Sequence, residues 1–176
     1  MTGSYEGSGG GSGNTTLSAE SAINYTSDYA TLLTSISIPG SVSTISDNSF
    51  YECVNLADVT IPNGVTLIDS YAFYGCSSLS EITIPSSVTT LGSYAFKGCT
   101  ALAEVNLSNG IETIGDNAFA ECTALLSITI PSSVTSIDSS AFMDCDNLTS
   151  ITVNKAEGSI SDAPWGATNA TVVWNG

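Results

Sequence analysis

Cys53, Cys76, Cys99, Cys122 and Cys145 stand 23 residues apart, and seventeen carboxylates face only two cations, Lys97 and Lys155. Thiols can serve as nucleophiles, pair as disulfides or bind zinc, and carboxylates can work in pairs as acid and base or hold a cation. What is missing limits both. The chain has no histidine and no arginine, so there is no Ser-His or Cys-His pair, no imidazole metal ligand and no guanidinium to clamp a phosphoryl group. A thiolate nucleophile needs an electropositive surround, which two lysines hardly provide. A carboxylate pair of glycosidase type is the enzymatic route this inventory leaves, and the acids are scattered rather than paired. The chain reads as no enzyme and as needing no cofactor, with a carbohydrate-active enzyme as the remote alternative.

One fixed position per repeat is what a column of small buried residues produces, since free Cys behaves as a small hydrophobe. An odd count of parallel, stacked side chains gives poor disulfide dihedrals. Zinc thiolates converge on a tetrahedron, whereas a ladder runs in a line. Columns about 5 Å apart, the interstrand spacing, also fall within disulfide reach, so distance alone leaves a bridge open.

The same period positions the rest of the core. Phe50, Phe73, Phe96, Phe119 and Phe142 keep it, as do Leu56, Leu79, Leu102, Leu125 and Leu148. A unit this short cannot bury its apolar face alone, so neighbours must stack into one continuous core. The expected class is an α/β repeat solenoid. Within each unit Ile36-Ser37-Ile38, Val59-Thr60-Ile61, Ile82-Thr83-Ile84, Val105-Asn106-Leu107 and Ile128-Thr129-Ile130 alternate apolar and polar, the signature of a half-buried strand. Pro39, Pro62, Pro85 and Pro131 end these strands because proline cannot donate to a ladder. A turn such as Asn63-Gly64 or Asn109-Gly110 brings the chain back to the core. Asp69 to Phe73 and Gly115 to Phe119 then place Ser, Asp or Asn ahead of an Ala-Phe pair, with Gly75 and Gly98 as stops, which predicts one helical or 3-10 turn per repeat.

The chain divides into a Gly/Ser-rich flexible tail or linker over 1–16, an N-terminal capping unit over 17–34, five 23-residue repeats plus a final strand over 35–153, and a C-terminal capping unit over 154–176. In the last unit Ile160, Trp165 and Trp174 fall 23 residues after Ile137, Phe142 and Ile151, while Thr168 stands where cysteine belongs. Terminal units of this kind close the open ends of a solenoid core.

A net charge of −15 opposes nucleic acid, whose phosphates need Lys and Arg in number. It also removes the usual anchors for anionic membranes, and no apolar run is long enough to cross a bilayer. A basic partner, a neutral glycan or a divalent cation is easier to accommodate. Residues 1–13 have neither the basic nor the apolar region of a signal peptide. That leaves a piece of a longer exported protein, an intracellular protein, or a virion component released by lysis.

Residues Leu79 to Cys99, LSEITIPSSVTTLGSYAFKGC, resemble the BspA-type leucine-rich repeat, whose units end in Ala-Phe-x-x-Cys, and the match recurs in register over about 33–153. The resemblance implies a leucine-rich-repeat right-handed superhelix, with short parallel strands on one face and short helical or 3-10 turns on the other. It implies bacterial or protist surface proteins that bind host or matrix components, and it carries no catalytic residues. Asn154 to Gly176, with Pro164-Trp165-Gly166, is similar to endings on such proteins from gut bacteria and their prophages.

Alternation points Asp58, Glu81 and Glu104 outward in one file, and Thr60, Thr83, Asn106 and Thr129 in a second. Stacked strands would hold the three acids about 5 Å apart, a site for a cation or a basic patch, or else a solvated acidic face. Tyr71 and Tyr94, just ahead of the Ala-Phe pairs, are further contact candidates. The expected function is a binding module for a protein or glycan on a host or cell surface, adhesin-like or of phage receptor-recognition type. The location is the cell surface or outside the cell, with virion association as the alternative. Self-association into an end-to-end scaffold is the competing reading, because open parallel edges can stack.

Overall fold

A computed structural model describes residues 14–16 and 30–176. Residues 1–13 of the expected tail and 17–29 of the expected N-terminal unit lie outside the described residues. In chain order the strands are β1 (Asn14–Thr16), β2 (Ser35–Ser37), β3 (Thr44–Ile45), β4 (Asp58–Thr60), β5 (Leu67–Ile68), β6 (Glu81–Ile84), β7 (Thr90–Leu91), β8 (Glu104–Leu107), β9 (Thr113–Ile114), β10 (Ser127–Ile130), β11 (Ser136–Ile137), β12 (Ser150–Val153) and β13 (Thr171–Trp174). Every pair among them is parallel, and the repeats pair at an offset of 23 residues. The result is a parallel β-solenoid of about six turns. Its first side holds β1, β13 and the even-numbered strands, where alternation buries Ile82, Ile84, Ile128 and Ile130 and leaves the residues between them outside. Of the residues read as a tail, Asn14–Thr16 run parallel to Ser35–Ser37; β2 offers an open edge there, and its backbone groups need partners.

A second sheet of five strands, β11-β9-β7-β5-β3, occupies the stretch read from sequence as a simple return to the core. Ile45, Ile68, Leu91, Ile114 and Ile137 point inward from it. Hydroxyls of the adjoining loops strap each coil to the one before. Thr66 Oγ1 donates to the Ser43 carbonyl at 3.1 Å, and Thr135 Oγ1 to that of Glu112 at 3.1 Å.

The helical face expected from sequence is not formed. No α- or 3-10 helix occurs between Thr31 and Gly176. The Ala-Phe segments are turns in which alternate N–H groups have different destinations. Ser49, Tyr51 and Cys53 donate three residues back, to Ser46, Asn48 and Phe50, while Asn48, Phe50 and Glu52 donate to Ser70, Ala72 and Tyr74 of the next coil. A helix would use every N–H internally and leave none to join coils. The alternation requires left-handed backbone at two positions per repeat: Asn48, Tyr71, Tyr94 and Asn117 at one, and Glu52, Gly75, Gly98, Glu121 and Asp144 at the other. Each non-glycine residue there costs roughly 1–2 kcal/mol, which an inter-coil bond worth about 0.5–1.5 kcal/mol and the packing beneath it offset. Gly75 and Gly98, read as helix stops, supply this conformation instead.

One apolar core runs the length of the coils. The phenylalanine rings stack at 4.9, 5.1, 5.4 and 5.7 Å from Phe50 to Phe142, each pair worth about 0.5–1.5 kcal/mol beyond its area. Trp165 is fully buried at the end of this series, its carbonyl taking the Phe142 N–H at 2.9 Å. The last coil is shorter than the repeat. Ala167 rather than Thr168 is buried after Trp165, and Trp174 pairs with Val153 instead of Ile151.

Candidate binding surface

All five cysteines are free and buried. Their thiols donate to phenylalanine carbonyls 26 residues back, as Cys76 does to Phe50 at 3.3 Å and Cys145 to Phe119 at 3.0 Å. Burial pushes Cys53 and Cys145 up to about 11 and Cys76, Cys99 and Cys122 well above the usual thiol range. A thiol held protonated is a poor nucleophile; these side chains belong to the core. Among the described residues no three of Cys, His, Asp and Glu converge on a point that could hold a metal ion.

The strand face is where outward polar side chains collect. Asp58, Thr60, Glu81, Thr83, Glu104, Asn106 and Thr129 are all exposed. The ladder brings only some of them together: Glu81 is in register with Glu104 and Thr83 with Asn106 across β6 and β8, with the Asn106 amide donating to Glu104 Oε1 at 2.8 Å. Asp58 is in register with Ser35 instead. The single acidic file expected from sequence is therefore interrupted. Hydrogen-bonded pairing on this side stops between β4 and β6 and again between β8 and β10, leaving three separate sheets. The second break holds a cleft of about 280 Å³, lined by residues 103–108 and 127–129.

Tyr71 and Tyr94 lie half-buried on the turn edge, away from the strand residues. They stack at 4.8 Å, beside a parallel Tyr51–Tyr74 stack also at 4.8 Å, and Tyr71 joins the two at 5.7 Å from Tyr74. Lys97 continues the second column, 5.6 Å from the Tyr94 ring and 3.1 Å from Glu121. A hydrogen bond to Asp116 pushes the Tyr94 hydroxyl up. Asp116 is itself held below the usual carboxylate range, chiefly by the Ser140 hydroxyl. Tyr51, Tyr74, Lys97 and Asp116 were absent from the sequence-derived site; their signal was available in the 23-residue columns 51–74–97 and 71–94–117.

The pattern of the BspA type leucine rich repeat region matches residues 21–163 in six copies. The chain belongs to the BspA-type leucine-rich repeat family. Solved leucine-rich repeat proteins share its fold. A leucine-rich repeat protein of T. pallidum is 30% identical over 81% of this chain and 69% of its own, with a TM-score of 0.72. One from Eubacterium ventriosum is 33% identical over 69% of this chain and 34% of its own, TM-score 0.64. A leucine rich cell surface protein of Faecalibacterium prausnitzii is 30% identical over 82% and 48%, TM-score 0.59. This chain thus spans about a third of the Eubacterium protein and about half of the Faecalibacterium one. No curated protein is matched by the sequence. No helix among the described residues is long and apolar enough to cross a membrane.

Proposed function

We propose that this BspA-type chain is a non-enzymatic recognition module that presents its strand face to a protein or glycan on a host or cell surface. The carrying observation is the in-register polar patch of Glu81, Glu104, Thr83 and Asn106, exposed on β-strands whose alternate residues are locked in the core. Strands fix such side chains more precisely than loops. Two further facts support the reading. The thiols are protonated and enclosed, so the most regular reactive groups in the chain are structural. A protein of similar fold from Faecalibacterium prausnitzii is described as a leucine rich cell surface protein, which supports a location at the cell surface or outside the cell.

The test is a Glu81→Lys/Glu104→Lys double variant challenged with panels of glycans and matrix proteins. Ligands bound by the parent chain should be lost while the fold persists. A double variant that binds as the parent does would move the contact off this face, to the tyrosine edge at Tyr71 and Tyr94.

A further inference from the structure

Two adjacent coils part company at the cleft between β8 and β10 while staying joined elsewhere. The same coils pair through β9 and β11, with Thr113 opposite Ser136, and the Phe119 N–H reaches the Ala141 carbonyl at 2.9 Å. They are bonded on two sides and open on the third, so the cleft is a wedge.

Which peptide groups face it follows from the ladders on either side. The N–H and C=O of one strand residue point the same way, and the direction alternates along the strand. The Glu104 N–H donates to the Ser80 carbonyl, which turns Glu104 towards β6 and so turns Val105 and Leu107 towards β10. The Ile130 carbonyl accepts from Asn154, which turns Ile130 towards β12 and so turns Ser127 and Thr129 towards β8. Among the described residues no inter-strand bond joins these four peptide groups. Backbone groups of this kind are rarely left without a partner.

The charge at the mouth decides what fits. Glu104 lines the cleft with Asn106, and Glu81 stands in register beside Glu104. Any ligand that covers this spot must compensate two neighbouring carboxylates, since a charge taken out of water without a partner is expensive. The chain supplies no cation of its own: Lys97 is paired with Glu121, and the Lys155 ammonium donates to the Val134 carbonyl at 2.7 Å. A guanidinium carries five donors in a fixed fork; it can meet Glu104 and strand carbonyls together.

Resting on the strand-face reading above, we propose that the β8/β10 wedge is a subsite for an arginine side chain of a protein ligand, its guanidinium against Glu104 and its stem between the strands. The partner is accordingly a basic protein segment rather than a neutral glycan.

Two measurements test it on the full chain. Amide hydrogen exchange should show Val105, Leu107 and Thr129 exchanging at least a hundredfold faster than Asn106 and Ile128, neighbours whose N–H groups face bonded strands. Equal protection would mean that the wedge is closed in solution and would overturn the proposal. Titration with acetyl-Gly-Arg-Gly-amide, followed by amide chemical shifts, should perturb residues 104–107 and 127–129, while the neutral citrulline peptide should not. Glu104→Gln should weaken the arginine response about tenfold. Equal shifts from the citrulline peptide, or shifts spread evenly over all carboxylates, would overturn the subsite. Loss of panel binding in the double lysine variant despite either outcome would leave the strand-face reading standing, so the two ideas fail separately.

Discussion

At the turn edge the N–H groups of Phe50, Phe73, Phe96, Phe119 and Phe142 each reach the next coil without interruption, whereas on the strand face the ladder stops twice within the same stack. Both sides are cut from one 23-residue unit. The turn edge places its largest side chains inward, in stacked rings and a thiol column; the strand face turns its carboxylates and hydroxyls outward. Cohesion and contact are thus assigned to different sides of one coil. Because the bonded sides hold the stack together, the strand face can open or change its outward residues at little cost to the fold.

That contrast can be broken most forcefully at the aromatic column. Phe96→Ala leaves a cavity between two stacked neighbours and should cost about 3–5 kcal/mol, read by urea denaturation. A loss under 1 kcal/mol would deny the turn edge its role. Next in size is the thiol column under alkali. Burial raises the folded thiols above their ordinary value of 9.0, to about 11 at Cys53. Their stabilisation is therefore complete below about pH 9, where unfolded thiols are still protonated, and drains as pH rises through the folded pKa. Each thiol withdraws about 1.4 kcal/mol per pH unit in that window. Denaturation curves between pH 9 and 11 should fall less steeply for Cys99→Ala than for the parent by that amount, and identical slopes would contradict the account.

A smaller effect comes from the straps between coils. Ser133 Oγ donates to the Ile111 carbonyl at 2.6 Å and accepts the Gly110 N–H at 3.1 Å, so Ser133→Ala should cost about 1 kcal/mol in the same assay. The smallest change belongs to the strand face. Glu81→Lys with Glu104→Lys should shift stability by no more than about 0.5 kcal/mol while abolishing ligand binding. A large drop in melting temperature would show that the face contributes to cohesion after all.

Much of this was legible in the residues. The period, the Phe, Leu and Cys columns and the alternation in Ile82-Thr83-Ile84 located the core and one parallel sheet. Two-residue strands such as Leu67–Ile68 are too short to show any alternation, so the second sheet was hidden. The segment Asp69 to Phe73 has the composition of a helix start, and what overrides it is the neighbouring coil, whose carbonyls claim the N–H groups of Tyr71 and Phe73. The breaks beside Asp58 and Glu104 left no trace, because coils of equal length carry no mark of how far they separate on one side. The tyrosine cluster was half visible: Tyr71 and Tyr94 stood out singly, but their joining with Tyr51 and Tyr74 depends on columns meeting at the surface.

The two lysines, both committed to contacts inside the stack, also decide how the chain meets a protease of trypsin specificity. Such an enzyme can cut only after Lys97 and Lys155. The first sits between buried Phe96 and Cys99, and the second is tethered to the loop of the preceding coil. Neither peptide bond can enter an active-site cleft until its coil peels from its neighbours, so digestion would time that peeling. Once it begins, the chain would part into three pieces, ending at residues 97, 155 and 176.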